Sequence, residues 1–524
     1  MASSAYFGPR PTLDTIYRGI GIPSRDIRSC IKMVADSIQV PIDEAEDRII
    51  QSFAAFDTQC IQQSARHNMK LHPHQEAMVR HMMYYRGGIA AFKVGVGKTL
   101  TAAMTIHCCL GVARSIGRPD IQVHIVTPVS LVDNMKKEMK AIGTNPKAKN
   151  IHFHSFASYA KKYTNGTLDT HNSILVVDEA HELRTDYRNE FASFSIGSKK
   201  NSRAEMFINS AKRAWRVLLL TATPIHAHDH NILNLIAMVN GTDPMTKYEF
   251  DKVMQDQVLF ENAFGNRIMW QDSNKRMFPK IIEHDIEIEM PEQFFIQYNR
   301  IENKIYPKSF VYKKSKRDAL YSRMRRATAC IMPNPRIEFI IAKIKQTNEQ
   351  SIIYSDYLSA GVDLITKRLD EEEISYVKIV GATKQIDRQL LVDQYNKGYV
   401  KVLVLGKAGG VGLDTKNTRH FFTIEDGWVW NDKVQARGRG ARYKSHHGLP
   451  KNQRVMNVWN IIVVKPSQSM QNEYILKNRL YASTEKWAEL TVDQYLKDRS
   501  LQIYKDEIVP LEKKLRKVGI AKKK

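Results

Sequence analysis

The chain has 524 residues, with 79 lysines and arginines against 55 aspartates and glutamates, a formal net charge of +24. That length exceeds one ordinary domain and sets an expectation of roughly two to four, and an apolar fraction of 43% excludes global disorder. The charge excess points to a polyanion, and nucleic acid fits better than a membrane, because no long apolar run or basic amphipathic anchor stands out. A merely basic surface is the plainer reading of charge alone. The five cysteines (Cys30, Cys60, Cys108, Cys109, Cys330) form no Cys-x-x-Cys pair, which fits a reducing compartment and no zinc ribbon. The amino terminus shows no signal-peptide core, and a soluble intracellular protein is expected.

Residues 1–66 carry helical spacing at Ile27, Ile31, Val34 and Ile38, and again at Ile49, Ile50, Phe53 and Phe56, and read as a helical extension. Over 67–245 short apolar runs alternate with helical patterns. Val123-His124-Ile125-Val126, Ile174-Leu175-Val176-Val177 and Val217-Leu218-Leu219-Leu220 suit strands buried on both faces of a parallel sheet. They end at Thr127-Pro128, Asp178-Glu179 and Thr221-Ala222-Thr223. Ligands of open α/β sheets bind beyond the carboxyl ends of strands, so the polar residues fall where such a fold places a site.

Residues 246–334 read as a helical, basic linker. Lys313-Lys314-Ser315-Lys316-Arg317 and Arg323-Met324-Arg325-Arg326 are candidate phosphate contacts, although each run taken singly is better read as a solvated helix face. Alternation resumes over 335–466, with strands expected at 351–354, 402–405 and 458–463, and without a second phosphate loop. Residues 467–524 read as a helical, basic extension. The fold class is α/β: two parallel-sheet lobes in tandem with helical extensions at both ends.

Gly95, Val96, Gly97, Lys98 and Thr99 form a phosphate loop. Its glycines free backbone N–H groups to face phosphates, Lys98 brings charge, and Thr99 brings a hydroxyl for magnesium. Phe92 stands where the full pattern has its first glycine. In Asp178-Glu179-Ala180-His181, one carboxylate can hold magnesium while the other orients or deprotonates water. Arg439 and Arg442 are three apart and share a face if that segment is helical. Their planar, permanently charged forks suit a phosphoryl group in transfer. Arg437 and Arg454 are closer to a basic surface. His226-Ala227-His228-Asp229-His230 looks like a metal cluster but lacks distant ligands at wider spacing. Trp428 and Trp430 could stack on bases, though packing is the better reading.

In this order the motifs resemble superfamily two helicases, and within them the Swi/Snf-type ATPases, over residues 68 to 465. Leu71-His72-Pro73-His74-Gln75 resembles the segment before the phosphate loop, which implies that Gln75 reads adenine. Thr127–Asn134 resembles motif Ia, and Leu220–Ile225 motif III. Ala408–Asp414 resembles motif V, and Gln435-x-x-Gly438-Arg439-x-x-Arg442 motif VI. The resemblance implies tandem RecA-like lobes, ATP and Mg2+ as cofactors, and a DEAH box. It implies that Glu179, Lys98, Arg439 and Arg442 are catalytic, and that Thr99 and Asp178 hold magnesium. His181, Thr221, Thr223, Gly412, Asp414 and Gln435 would couple hydrolysis to movement. Pro128, Ser130, Thr415 and Lys416 would touch the nucleic-acid backbone.

The stretch from Arg439 to His446, with Leu449-Pro450 and Arg454–Val458, is similar to the poxvirus-type branch. That branch includes nucleoside triphosphatase I and the small subunit of the viral early transcription factor. It implies a DNA-dependent ATPase of viral transcription, in the host cytoplasm and the virion, working with RNA polymerase or transcription factor subunits. An RNA helicase of the same superfamily, and a promoter-binding factor whose ATPase is secondary, are the alternatives.

Overall fold

The computed structural model describes residues 31–33, 35–36, 39–42, 44–45, 60, 70–115, 118–184, 203–305, 314–407, 413–425, 427, 429–480 and 490–520. They divide into two compact units, Met1–Ser273 with Asp506–Lys524, and Asn274–Lys505. The helical extension read over 1–66 falls mostly outside the described residues.

The first unit runs α1 (Pro73–Tyr84), β1 (Gly87–Phe92), α2 (Lys98–Ser115), β2 (Val123–Val126), α3 (Val132–Ala141), β3 (Ile151–His154), α4 (Phe156–Thr164), β4 (Ile174–Asp178), α5 (Arg203–Arg213), β5 (Arg216–Thr221), α6 (Leu233–Asn240), α7 (Lys247–Gln255), α8 (Gln257–Phe264) and β6 (Ile268–Gln271). Its six strands lie in the order β3-β2-β4-β5-β1-β6, all parallel. Strands β1, β2, β4 and β5 are buried along their whole length. Helices cover both faces, so these strands carry continuous apolar runs rather than alternation. Burying one Met82, Phe92 or Leu218 side chain, all fully buried, contributes about 1.5–3 kcal/mol.

Two arginines, the buried Arg216 and the half-buried Arg86, finish helix ends here. Arg216 donates from Nε to the carbonyl of Met82 at 2.9 Å and from Nη2 to that of Met83 at 2.8 Å, in the last turn of α1. Arg86 donates to Met238 and Val239 near the end of α6, and to Ala211 and Ala214 around the end of α5. Both satisfy carbonyls that a helix end leaves without internal partners. Cys60 is disulfide-bonded to Cys108 of α2, while Cys109 and Cys330 are free, so the cysteines are not all thiols as their scatter suggested.

The second unit runs β7 (Lys280–Glu289), α9 (Glu292–Ile305), α10 (Lys314–Ala329), α11 (Pro335–Gln346), β8 (Ser351–Ser355), α12 (Asp363–Glu371), β9 (Tyr376–Ile379), α13 (Gln385–Asn396), β10 (Val402–Gly406), β11 (His420–Thr423), α14 (Trp430–Arg437), β12 (Val455–Val464), α15 (Gln468–Lys477) and α16 (Val492–Ile503). Its strand order is β7-β12-β11-β8-β10-β9, again all parallel. The buried pair Arg336–Asp493 and the bond from Val463 N to Asp493 Oδ2 at 3.0 Å pin α11 and α16 to β12.

The two sheets confirm tandem α/β lobes, but the stretch read as a linker is different. Residues 246–334 include β6 of the first sheet and β7 of the second. β7 was overlooked because it alternates charged and apolar residues: it forms the edge of its sheet, with every second residue exposed, and charges there discourage further pairing. The carboxyl-terminal stretch also divides: α17 (Val509–Val518) belongs to the first unit, where Arg516 binds Asp272 and Ile520 N donates to Ile268 O at 2.7 Å.

Candidate active site

Strand β1 ends at Phe92, and α2 begins at Lys98. Between them Gly95 and Gly97 take φ of 80° and 83°, a left-handed conformation that glycine reaches without steric cost. Gln75 Nε2 donates to Gly97 O at 3.1 Å, and Gln75 Oε1 accepts from His72 N at 2.8 Å. His74 Nε2 donates to Val96 O at 2.9 Å, which places a proton on Nε2. Burial, the largest influence, lowers the His74 pKa and favours the neutral ring, while the bond to Val96 opposes it. Phe92 is fully buried, with the His74 ring edge-on at 5.1 Å. The position without a glycine thus belongs to the strand, and the loop turns only after it.

Asp178 closes β4 and is buried. It accepts from Glu179 N at 2.9 Å and from Thr127 Oγ1 at 3.4 Å. Burial first, and then the adjacent Glu179 charge, raise its pKa, while Lys98 opposes them. Glu179 takes φ 52° and ψ 45°. This left-handed conformation costs a residue with a side chain about 1–3 kcal/mol and occurs preferentially at functional sites. Asn134 of α3 donates to Thr99 Oγ1 at 3.3 Å. The donor set of Thr99, Asp178 and Glu179 is all oxygen and suits a hard cation that keeps several waters, as magnesium does. These residues come together because β2, β4, β5 and β1 are consecutive neighbours, which aligns their carboxyl ends.

Beside them His181 is buried, with Nδ1 3.4 Å from Glu179 Oε2 and 3.3 Å from Thr221 Oγ1. Thr223 N donates to the same Thr221 oxygen at 3.1 Å. The histidine run is divided among separate partners. His226 stacks on His181, His228 Nδ1 meets Glu507 Oε2 at 2.9 Å, and His230 pairs with Asp229. Pro128 and Ser130 are half-buried beside the exposed Val129, just ahead of α3.

In the second unit α14 ends at Arg437, so Arg439 and Arg442 lie in the turns that follow and not on one helix face, as Gly438 caps the helix. The Arg439 guanidinium lies over the Tyr354 ring at 5.3 Å. Ser445 Oγ accepts from Arg442 N at 3.1 Å. Gln435 is half-buried on α14. Arg437 is buried instead of forming a basic surface, held by Glu283 and Asn460 at 2.9 Å each. Arg454 binds the carbonyls of Leu449 and His447 at 3.0 Å each. Thr415 is buried and donates to Arg439 O at 2.5 Å, so its side chain braces the arginine segment. Lys416 and Asp414 are exposed. Gly412 and Trp428 lie outside the described residues, and Trp430 packs against Tyr504 at 5.7 Å.

The sequence reading missed a buried network at the ends of β8 and β11. Glu425 accepts from Asp356 N at 2.5 Å and Ser355 Oγ at 2.9 Å, and burial pushes its pKa up to about 7. Arg325 binds Asp356 at 2.7 Å, and Tyr354 donates to the same carboxylate at 2.9 Å. His74 was also missed, although its place beside Gln75 was a usable signal.

Residues 68–226 match the family model described as type III restriction enzyme, res subunit, and residues 335–444 match helicase conserved C-terminal domain. A protein of Acanthamoeba polyphaga mimivirus named "Putative ATP-dependent RNA helicase L538" is 25% identical over 464 residues, covering 80% of this chain and 96% of its own. "DNA repair protein rad8" of Schizosaccharomyces pombe is 31% identical over 90 residues, 17% of this chain and 8% of that protein. The tandem sheets and both family matches define a helicase, an enzyme that hydrolyses ATP. Both matches and the mimivirus relative support membership of helicase superfamily two. No described helix is long and apolar enough to cross a membrane.

Proposed function

We propose that this helicase is a DNA-dependent ATPase that moves along nucleic acid during viral transcription. One observation carries the reading: the glycine turn with Lys98 and Thr99 follows β1, and the carboxylates Asp178 and Glu179 follow β4, two parallel strands of a single sheet separated only by β5. Gln75 reads the base, Gly95, Val96 and Gly97 cradle phosphates, and Thr99 and Asp178 hold magnesium. That ion, when bound with the nucleotide, offsets phosphate charge. Glu179 takes the proton of the attacking water, and Arg439 and Arg442 stabilise charge on the transferred phosphoryl group. His181, Thr221, Thr223, Gly412, Asp414 and Gln435 couple turnover to movement. Pro128, Ser130 and Lys416 contact the backbone, which carries no sequence information by itself.

The Swi/Snf and poxvirus-type resemblance supports DNA and a setting in the host cytoplasm and virion, with RNA polymerase or factor subunits as partners. The viral source of the mimivirus relative agrees with that setting. The same relative's name favours a second reading, an RNA helicase. ATP turnover measured with duplex DNA, single-stranded DNA and RNA separates the two. Greatest stimulation by duplex DNA is expected, and dominant stimulation by RNA would overturn the DNA assignment.

A further inference from the structure

His226 is the one member of the histidine run placed next to the candidate catalytic machinery. It is 2% exposed and lies three residues past Thr223. Its ring centroid is 5.3 Å from that of His181, with the planes 16° apart. His181, itself buried, presents Nδ1 to Glu179 Oε2 at 3.4 Å and to Thr221 Oγ1 at 3.3 Å. The Glu179 carboxylate is therefore flanked by a ring, and a face of that ring is covered by a second ring. A side chain held only by long polar contacts can turn about its terminal torsion, which is broad for histidine. A stacked neighbour restricts that turn by packing. A catalytic carboxylate is aimed only as well as the groups that support it.

We propose that His226 is a positioning residue for ATP hydrolysis: its ring fixes the plane of His181, and His181 in turn aims the Glu179 carboxylate. The inference rests on the reading of Glu179 as the base. His228 and His230 do not share the role, because their ring contacts are with each other at 5.3 Å and their carboxylate partners are Glu507 and Asp229.

Two variants of the full-length chain test it. His226→Leu fills the site with an apolar side chain of similar bulk and removes the stack, and His226→Phe keeps a ring. Steady-state ATP turnover is measured with saturating nucleic acid, alongside binding of a fluorescent ATP analogue. A small misplacement of a catalytic group costs about a hundredfold, so His226→Leu is expected to lose about ten- to a hundredfold in kcat, with KM and analogue affinity within about twofold. His226→Phe is expected to return to within about threefold of the parent, because the plane is again held. Parental kcat in His226→Leu, a His226→Phe as slow as His226→Leu, or a loss confined to nucleotide affinity would each overturn the proposal. Glu179→Gln in the same assay separates this from the underlying reading. If it turns over like the parent, the base assignment fails and the positioning role fails with it. If it is inactive while His226→Leu is normal, only the positioning role fails.

Discussion

Gln75 on α1 and Gly97 of the phosphate loop are built against each other. Gln75 Nε2 donates to Gly97 O at 3.1 Å, and a Cβ at position 97 would lie 2.3 Å from that nitrogen. Removing the amide leaves the loop without one of its braces. Gln75→Ala is expected to raise KM for ATP about tenfold, the equivalent of one hydrogen bond near 1.4 kcal/mol, and to erase preference for ATP over GTP. Gly97→Ala, which also needs a left-handed residue to carry a side chain, is expected to abolish nucleotide binding. Titration of both variants with fluorescent ATP and GTP analogues checks this, and an unchanged ATP-to-GTP ratio in Gln75→Ala would count against Gln75 as base reader.

The proposed roles of Glu179 and Lys98 predict different effects on hydrolysis and binding. Glu179→Gln keeps the size and removes the base, so nucleotide binding persists while turnover falls by about 10²–10⁴. Lys98→Ala loses the charge that meets the phosphates, so both binding and turnover fall. Single-turnover hydrolysis with analogue binding in parallel distinguishes the two. Turnover within a few-fold of the parent in Glu179→Gln would refute the assigned base.

Arg216 makes a stability prediction away from the chemistry. Its guanidinium satisfies the carbonyls of Met82 and Met83 and lies over the Trp215 ring at 4.1 Å. Arg216→Met leaves both buried carbonyls without that donor, at a cost of about 3 kcal/mol. The unfolding midpoint should drop by roughly 6–12 °C, and Arg216→Lys should recover part of the loss. Calorimetry on the variants measures it.

His81 gives the acid limb of stability a sign. Its Nε2 donates to Gly87 O at 3.1 Å, and burial lowers its pKa to about 4, whereas an unfolded histidine titrates near 6.5. Between those values the unfolded chain binds more protons. The contribution is therefore fully present above about pH 6.5 and is lost as pH falls toward 4, amounting to about 1 kcal/mol by pH 5.5. Urea unfolding at pH 7.5, 6.5 and 5.5 is expected to show this loss, with a shallower dependence in His81→Gln.

Much of this arrangement was legible because burial on both faces writes itself as unbroken apolar runs. The cores of β2, β4, β5, β8, β10 and β12 were all visible in that way, and three of the runs ended at the residues that line the first unit's site. β7 alternates because one face is open, and β6 is a four-residue edge strand, so neither stood out. The turn after α14 ends the helix before the two arginines, and only the backbone at Gly438 decides that. The partners of His226, Arg216 and Glu425 are dozens of residues away or more, and no local pattern encodes them. Phe92 looked like a defect in the loop because the pattern places a glycine there, yet in the fold it is the last core residue of β1.

This helicase is proposed to couple ATP hydrolysis to nucleic acid, and to DNA above RNA. The most direct measurement is steady-state ATP turnover by the purified chain, alone and with saturating duplex DNA, single-stranded DNA or RNA at fixed salt. Low turnover alone and the largest stimulation by duplex DNA are expected, falling steeply as salt rises because phosphate contacts release counterions. Turnover indifferent to every nucleic acid, or stimulated most by RNA, would contradict it.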